Sequence, residues 1–418
     1  MAKQKKTQIP GKKKRAPRSL EFYREDYTAW LEERGYTKGT IKGYSAGVGV
    51  FIELMRRRDL RPTDLDARRI ASLKKALERR YPANGAGNYR FAVNRFVDYL
   101  GETGVMAPIK APKYDETAKG RLLADYDAYL RRHRGLSEAT IYACIRYADR
   151  FLTFRYKARL GDLGKLTAGD IYDFLRQFRD RATPFRDKTP PTHLRNFFKY
   201  LFWSGKTKSN LAESVPRMKQ PAQQAAPRHL SPDQIRLLID SVRSSDAVGR
   251  RNYAMLLLIA RLGLRAPEVI AIQLDDIDWR RGEILIRGKG GLHDKMPLPE
   301  DVGAAIVDYV RNGRRSDARA LFVASRAPFR PFADGQIVNM VLRQAFKNTG
   351  LKPPTKYVGS HVLRHSLAMN MLANGAAIDE IGDVLRHRSR MTTTIYAKHD
   401  IEALRELALP WPAAGGAQ

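Results

Sequence analysis

Cysteine is almost absent from this 418-residue sequence: Cys144 stands alone. That excludes an intramolecular disulfide and a zinc finger built on thiolates. Long apolar runs are also missing. No stretch reaches the roughly 18 residues that a membrane-spanning helix needs. The Lys-rich start has no apolar segment behind it, so it does not read as a secretory signal. Acidic residues are outnumbered, 44 Asp and Glu against 76 Lys and Arg, which leaves a formal charge of +32 and a pI near 10.3. Apolar residues, by contrast, make up 43%, enough for folded cores and against wholesale disorder. At about 100–200 residues per domain, the length predicts two to four domains. These limits describe a soluble protein of a reducing, cytoplasmic compartment with a large positive field. Nucleic acid is the commonest polyanion that such a field serves.

The charge is distributed along the whole chain. Residues 1–18 hold eight basic residues and no acid: Lys3, Lys5, Lys6, Lys12, Lys13, Lys14, Arg15 and Arg18. Such a block reads as a disordered arm that lies along nucleic acid. Without it the chain still carries +24 of the +32. Residues 19–205 contain an internal repeat with a period near 100. Y-T-A-W-L-E-E-R-G-Y-T-K-G-T-I from Tyr27 answers Y-D-A-Y-L-R-R-H-R-G-L-S-E-A-T-I from Tyr126. Gly35 matches Gly135, Thr40-Ile41 matches Thr140-Ile141, Phe51 matches Phe151, Phe96 matches Phe197, and Tyr99-Leu100 matches Tyr200-Leu201. Apolar residues three and four apart predict four or five short amphipathic helices per copy, ending near Gly101 and Gly205. The copies span 19–110 and 113–205, and their Arg and Lys content marks them as DNA-contact modules. Residues 206–229, with Pro216, Pro221 and Pro227, read as a linker. A third domain follows over 230–410, opened by a helix at Ser231-Pro232-Asp233.

That third domain lacks the signatures of several chemistries. G-K-G-G at 288–291 does not have the spacing of a phosphate-binding NTPase loop, and no H-E-x-x-H occurs. No carboxylate cluster resembles a two-metal site. Basic and imidazole groups occur in sequence instead. An apolar helix around Tyr253–Ala260 runs into R-L-G-L-R-A-P-E-V-I, where Gly263 breaks the helix and Leu264 anchors a turn. Arg265 then sits where a guanidinium can fork onto a phosphate, with Glu268 placed to orient it. Next, I-L-I-R-G-K-G-G-L-H-D-K-M-P-L reads as a β-hairpin from its alternation at Ile284 and Ile286, with Lys289 at the tip. In S-H-V-L-R-H-S-L-A-M, Ser360 is a plausible N-cap, and His361 and Arg364 share one face of a first helical turn. That places both beside the positive end of a helix. His365 reads as a packing or supporting residue, and Gly375 as the helix stop. Finally, His387 precedes Tyr396 by nine residues, and the intervening Thr run predicts another helix start with Tyr396 just inside.

In this order Arg265, Lys289, His361, Arg364, His387 and Tyr396 resemble the tyrosine recombinase family, the phage-integrase and Xer-like enzymes. Six positions over about 130 residues carry the likeness, and it extends to the second helical copy, which is similar to the family's core-binding domain. Three positions depart from the family's habit: Pro267 where Ser is common, Arg386 where Gly is common, and Asp294 where Arg is common. Lys295 is a weaker alternative to Lys289. The resemblance implies a mainly α fold with a small β-sheet: tandem SAM-like core-binding modules followed by a tyrosine-recombinase catalytic domain.

The resemblance also implies a chemistry. Arg265 and Arg364 would clamp the non-bridging oxygens of a DNA phosphodiester, with His387 adding a hydrogen bond. Tyr396 would attack and leave a 3′-phosphotyrosine link. His361 would take its proton and Lys289 would protonate the departing 5′-oxygen. No metal, ATP or other cofactor is expected. The tail I-E-A-L-R-E-L-A-L-P-W-P would dock on a neighbouring protomer, giving a tetramer on two duplexes or a mixed assembly with sister recombinases. The implied protein is a nucleoid-associated site-specific recombinase, integrase or mobile-element transposase. Two alternatives remain: a type IB-like topoisomerase, and a catalytically silent DNA-binding protein on the same fold.

Overall fold

A computed structural model describes residues 19–80, 86–107, 114–157, 159–180, 189–216, 229–288, 293–355, 358–387 and Tyr396. The basic arm over 1–18, much of the 206–229 linker, Lys289 at the hairpin tip, the Thr run and the tail over 397–410 lie outside these residues. The chain divides into two compact units, Met1–Ala111 with Ala324–Arg330, and Pro112–Val323 with Pro331–Gln418. Residues 113–205 and 230–410, read above as separate domains, fall in the same unit, each with its own core.

The repeat is visible as duplicated architecture. The first copy has helices α1 (Leu20–Glu33), α2 (Lys38–Arg56), α3 (Ala67–Arg80) and α4 (Ala86–Glu102). The second has α5 (Ala118–Arg134), α6 (Glu138–Tyr156), α7 (Ala168–Asp180) and α8 (Thr189–Trp203). A single 3₁₀ turn precedes the third helix of each copy, at Pro62–Asp64 and at Leu163–Lys165. Polar caps start the helices. Ser19 Oγ accepts the Phe22 N–H at 3.1 Å, and Thr117 Oγ1 accepts the Gly120 N–H at 3.0 Å. The matched aromatics are the core residues. Tyr27, Phe51 and Phe96 have no exposed surface, and neither do Tyr126, Phe151 and Phe197. One ring pair is duplicated directly, with Tyr27–Phe96 centroids 5.3 Å apart and Tyr126–Phe197 centroids 5.1 Å apart. The repeat is therefore a repeat of interior packing.

The remainder of the second unit is built around α10 (Ala247–Leu262), in which five consecutive residues, Met255 to Ile259, are buried. A helix hydrophobic on every side lies in the middle of a core. Around it stand α9 (Pro232–Asp240), α12 (Glu300–Asn312), α13 (Gln336–Thr349) and α14 (His361–Ala373). Ser231 caps α9 as expected, with Gln234 returning the bond to its N–H. The hairpin belongs to an antiparallel sheet, β1 (Ile277–Asp278), β2 (Glu283–Arg287) and β3 (His293–Pro297), in that order. Ile284 pairs with Met296 and Leu285 with Lys295. Alternation buries Ile284 and Ile286 completely. Two short helices, α11 (Ala266–Ala271) and α15 (Ile378–Val384), carry the turns discussed next. No described helix is long and apolar enough to cross a membrane.

Because equivalent rings fill equivalent interiors, Phe51→Ala and Phe151→Ala are expected to destabilise their own copies by similar amounts, about 3–5 kcal/mol each. Urea unfolding followed by circular dichroism measures this; a loss below about 1 kcal/mol at either position would contradict the shared core.

Candidate active site

The first arginine is aimed by a glycine. Gly263 ends α10 with φ +60°, and a Cβ there would come within 2.6 Å of Leu385 Cδ2. The position needs both a left-handed backbone and an absent side chain. Buried Leu264 then fixes the turn, and Arg265 becomes the N-cap of α11 with Pro267 in its first turn, where proline costs the helix no hydrogen bond. Glu268 folds back on it. One carboxylate oxygen accepts the Arg265 backbone N–H at 2.9 Å, and the other accepts Arg265 Nη1 at 2.6 Å. Glu268 is only 4% exposed, whereas the Arg265 side chain is 44% exposed and keeps an open face. Burial pushes the Glu268 pKa up, but the bonds from Arg265 and the charge of Arg386 outweigh it and hold the carboxyl below its ordinary value.

Arg364, on the first turn of α14, is 6% exposed. Its Nη1 donates to the Gly263 carbonyl and its Nη2 to the Leu385 carbonyl. One guanidinium thus joins the turn that presents Arg265 to the turn that presents His387. Burial, reinforced by the charge of Arg265, lowers its pKa to about 10, with Glu268 opposing. It remains a cation at neutral pH.

The His387 turn follows α15. Arg386 adopts φ +53°, a left-handed conformation that costs a side-chain-bearing residue about 1–2 kcal/mol. The His387 N–H donates to the Gly382 carbonyl at 2.8 Å, closing the turn. At the start of α14, Ser360 occupies the N-cap without capping through its side chain; its own N–H donates to Asn339 Oδ1 at 2.9 Å. His361 begins the helix, and desolvation lowers its pKa. Gly375, at φ +83°, follows the C-cap Asn374.

Tyr396 is helical and 1% exposed, packed with Ala368, Met369, Ile381 and Leu385. Its hydroxyl lies 2.6 Å from His365 Nδ1. Here the structure departs from expectation: His365, read as a packing or supporting residue, is the imidazole that meets the phenol. The His361 ring neighbours His365, 6.1 Å away centroid to centroid. The His387 ring lies parallel to that of Tyr396 at 6.3 Å. Sequence spacing could not reveal the His365 contact, because it joins residues 31 apart in the chain. Lys289 lies outside the described residues. Lys295 is exposed on β3, with Nζ 3.6 Å from Glu283 across the hairpin. Among the described residues no group of three or more His, Cys, Asp and Glu is placed to hold a metal ion.

Residues 228–402 match the phage integrase family. The y4rA protein of Sinorhizobium fredii, named an integrase/recombinase, is 35% identical over 388 residues, covering 92% of this chain and 93% of its own. The chain belongs to the tyrosine recombinase family. Tyrosine recombinase XerA of Pyrococcus furiosus is 28% identical over 309 residues, 72% of this chain and 99% of that protein. In fold, the recombinase is similar to XerH site-specific recombinase bound to palindromic difH substrate, with TM-score 0.52 and 18% identity over 76% of this chain and 94% of that one. It is a mainly helical enzyme of the site-specific DNA recombinase class.

The electrostatics of the recombinase's cluster are uniform. Burial pushes the Tyr396 pKa up to about 12, against the pull of Arg364. Burial also lowers His365 to about 4, helped by His361 and Arg364, and His387 to about 4, helped by Arg364 and Arg265. At neutral pH the phenol keeps its proton beside a neutral His365, and the guanidiniums supply the charge.

A depressed histidine pKa links stability to acid. The unfolded imidazole titrates near 6.5 and the folded one near 4, so the stability it contributes is present above about 6.5 and is lost as pH falls toward 4. Wild type should therefore lose more stability between pH 7 and pH 4 than His365→Asn, which cannot titrate. Urea midpoints at the two pH values test this; equal losses would contradict a buried neutral His365.

Proposed function

We propose that the recombinase cuts and rejoins DNA through a 3′-phosphotyrosine link at Tyr396. The observation that carries this reading is the Tyr396 hydroxyl bonded to His365 beside the buried Arg364. Tyr396 Oη forms the new bond to phosphorus, and the bond from phosphorus to the 5′-oxygen breaks. The phenolic proton goes to His365 rather than to His361, because His365 Nδ1 lies within hydrogen-bond reach of the Tyr396 hydroxyl, at 2.6 Å. With the two groups titrating near 12 and 4, transfer before DNA binds is strongly uphill. A diester entering between the guanidiniums offsets their charge and raises the basicity of His365, so proton transfer is coupled to attack. Arg265 and Arg364 hold the non-bridging oxygens, and His387 and His361 line the same site. Lys289 donates to the leaving 5′-oxygen. The covalent link keeps the diester's bond energy, so a second strand's 5′-hydroxyl can reverse the step without ATP.

Assembly belongs to the same proposal. The segment over 397–410 docks on a neighbouring protomer, and four protomers hold two duplexes, alone or with sister recombinases. The +32 charge and the two helical copies neutralise phosphates along the site, so affinity falls steeply with salt. The protein works in the cytoplasm on nucleoid DNA, moving or integrating a mobile element.

Wild type should form an SDS-resistant covalent adduct on a suicide duplex carrying its site, and Tyr396→Phe should form none. Arg265→Ala and Arg364→Ala should each slow adduct formation about 10²–10³-fold. His365→Ala should slow it more than His361→Ala does; the opposite order would return the proton to His361. Absence of a wild-type adduct would leave a silent DNA-binding protein, and supercoil relaxation without site preference would favour a topoisomerase.

A further inference from the structure

Arg386 is the residue of this site whose side chain has no part in the chemistry described so far. It is also among the most constrained. Its backbone is left-handed at φ +53°, and its side chain is 9% exposed. Nη2 donates to Glu268 Oε2 at 2.9 Å. Nη1 faces the Leu262 and Val384 carbonyls, each at 3.4 Å, and lies against Met296 Sδ. The guanidinium therefore touches the end of α10, the α11 carboxylate, strand β3 and the end of α15.

The bond to Glu268 has an electrostatic consequence. That buried carboxylate lies against Arg265. A lone Arg265–Glu268 pair would be neutral, and the carboxylate would compete with a phosphate for the arginine's charge. With Arg386 on the second oxygen, two guanidiniums face one carboxylate and a net positive charge remains. Arg386 satisfies Glu268 from the protein side, which leaves the exposed face of Arg265 to meet an anion. Its backbone neighbour is His387, so the same anchor also fixes the turn that presents the imidazole.

We infer that Arg386 is a positioning residue for DNA cleavage: through Glu268 it holds Arg265 in a phosphate-receiving pose with its charge uncancelled, and through the turn it aims His387. The inference rests on the recombinase reading. It differs from a structural ion pair in what its loss changes. The rate at saturating DNA should fall, while DNA affinity, spread over many phosphates, should hardly move.

Full-length wild type, Arg386→Gly and Arg386→Lys are compared in single-turnover adduct formation on the suicide duplex. Glycine suits φ +53° without strain, so that variant removes the guanidinium and keeps the turn. The expected rate constant at saturation is about 10- to 100-fold below wild type, with the half-saturating DNA concentration within about twofold, a margin smaller than the loss of one phosphate contact would give. Lysine, which restores the cation, should recover part of the rate. In a Glu268→Gln background the charge to be balanced is gone, so Arg386→Gly should cost less than in wild type. An Arg386→Gly rate equal to wild type, a loss confined to affinity, a lysine variant no faster than the glycine variant, or strictly additive losses would each overturn the inference. Circular dichroism checks folding. If Arg386→Gly does not fold, Arg386→Asn, which tolerates the left-handed turn and carries no charge, takes its place with the same outcomes. Failure of wild type itself to form an adduct overturns the recombinase reading and this one with it.

Discussion

The cluster depends on one buried cation. Arg364 sits in an interior where an isolated charge would be expensive, and it is held there by the carbonyls of Gly263 and Leu385. Those carbonyls belong to two turns far apart in sequence. By bonding both, Arg364 makes their relative position a property of the folded core. Gly263 completes the constraint from the other side, since its missing Cβ lets Leu385 approach. Arg265 and His387 inherit their placement from this joint, and Glu268 and Arg386 brace it.

Burial then sets the protonation state of the whole site. The same desolvation raises the tyrosine and lowers the histidines. The chain therefore carries neutral proton donors and acceptors within a field made by arginines, whose charge survives desolvation because their pKa begins so high. A lysine in the position of Arg364 would be far more prone to lose its proton.

Much of this was legible in the sequence, for identifiable reasons. The hairpin alternation at Ile284 and Ile286, the break at Gly263 and the cap at Ser231 all lie in local spacing. The duplicated copies were legible because matched aromatics fill matched interiors. What escaped was set by contacts between distant segments. His365 looked like packing because nothing local distinguishes it from a core histidine, and its contact with Tyr396 exists only once the chain brings Tyr396 against α14. Arg386 looked like a mere departure from a familiar glycine, since its four neighbours come from four different elements. Ser360 had the right residue type for a cap, but the turn before α14 is held by Asn339 instead.

The burial of Tyr396, at 1% exposure, has a kinetic meaning. As the nucleophile proposed above, Tyr396 would reach a duplex only once uncovered, and binding DNA would supply the free energy for that. Ill-fitting DNA would then be discarded at the uncovering step, before any covalent bond forms. Fidelity would be decided by how long a duplex stays, with the strand cut only after it has stayed long enough.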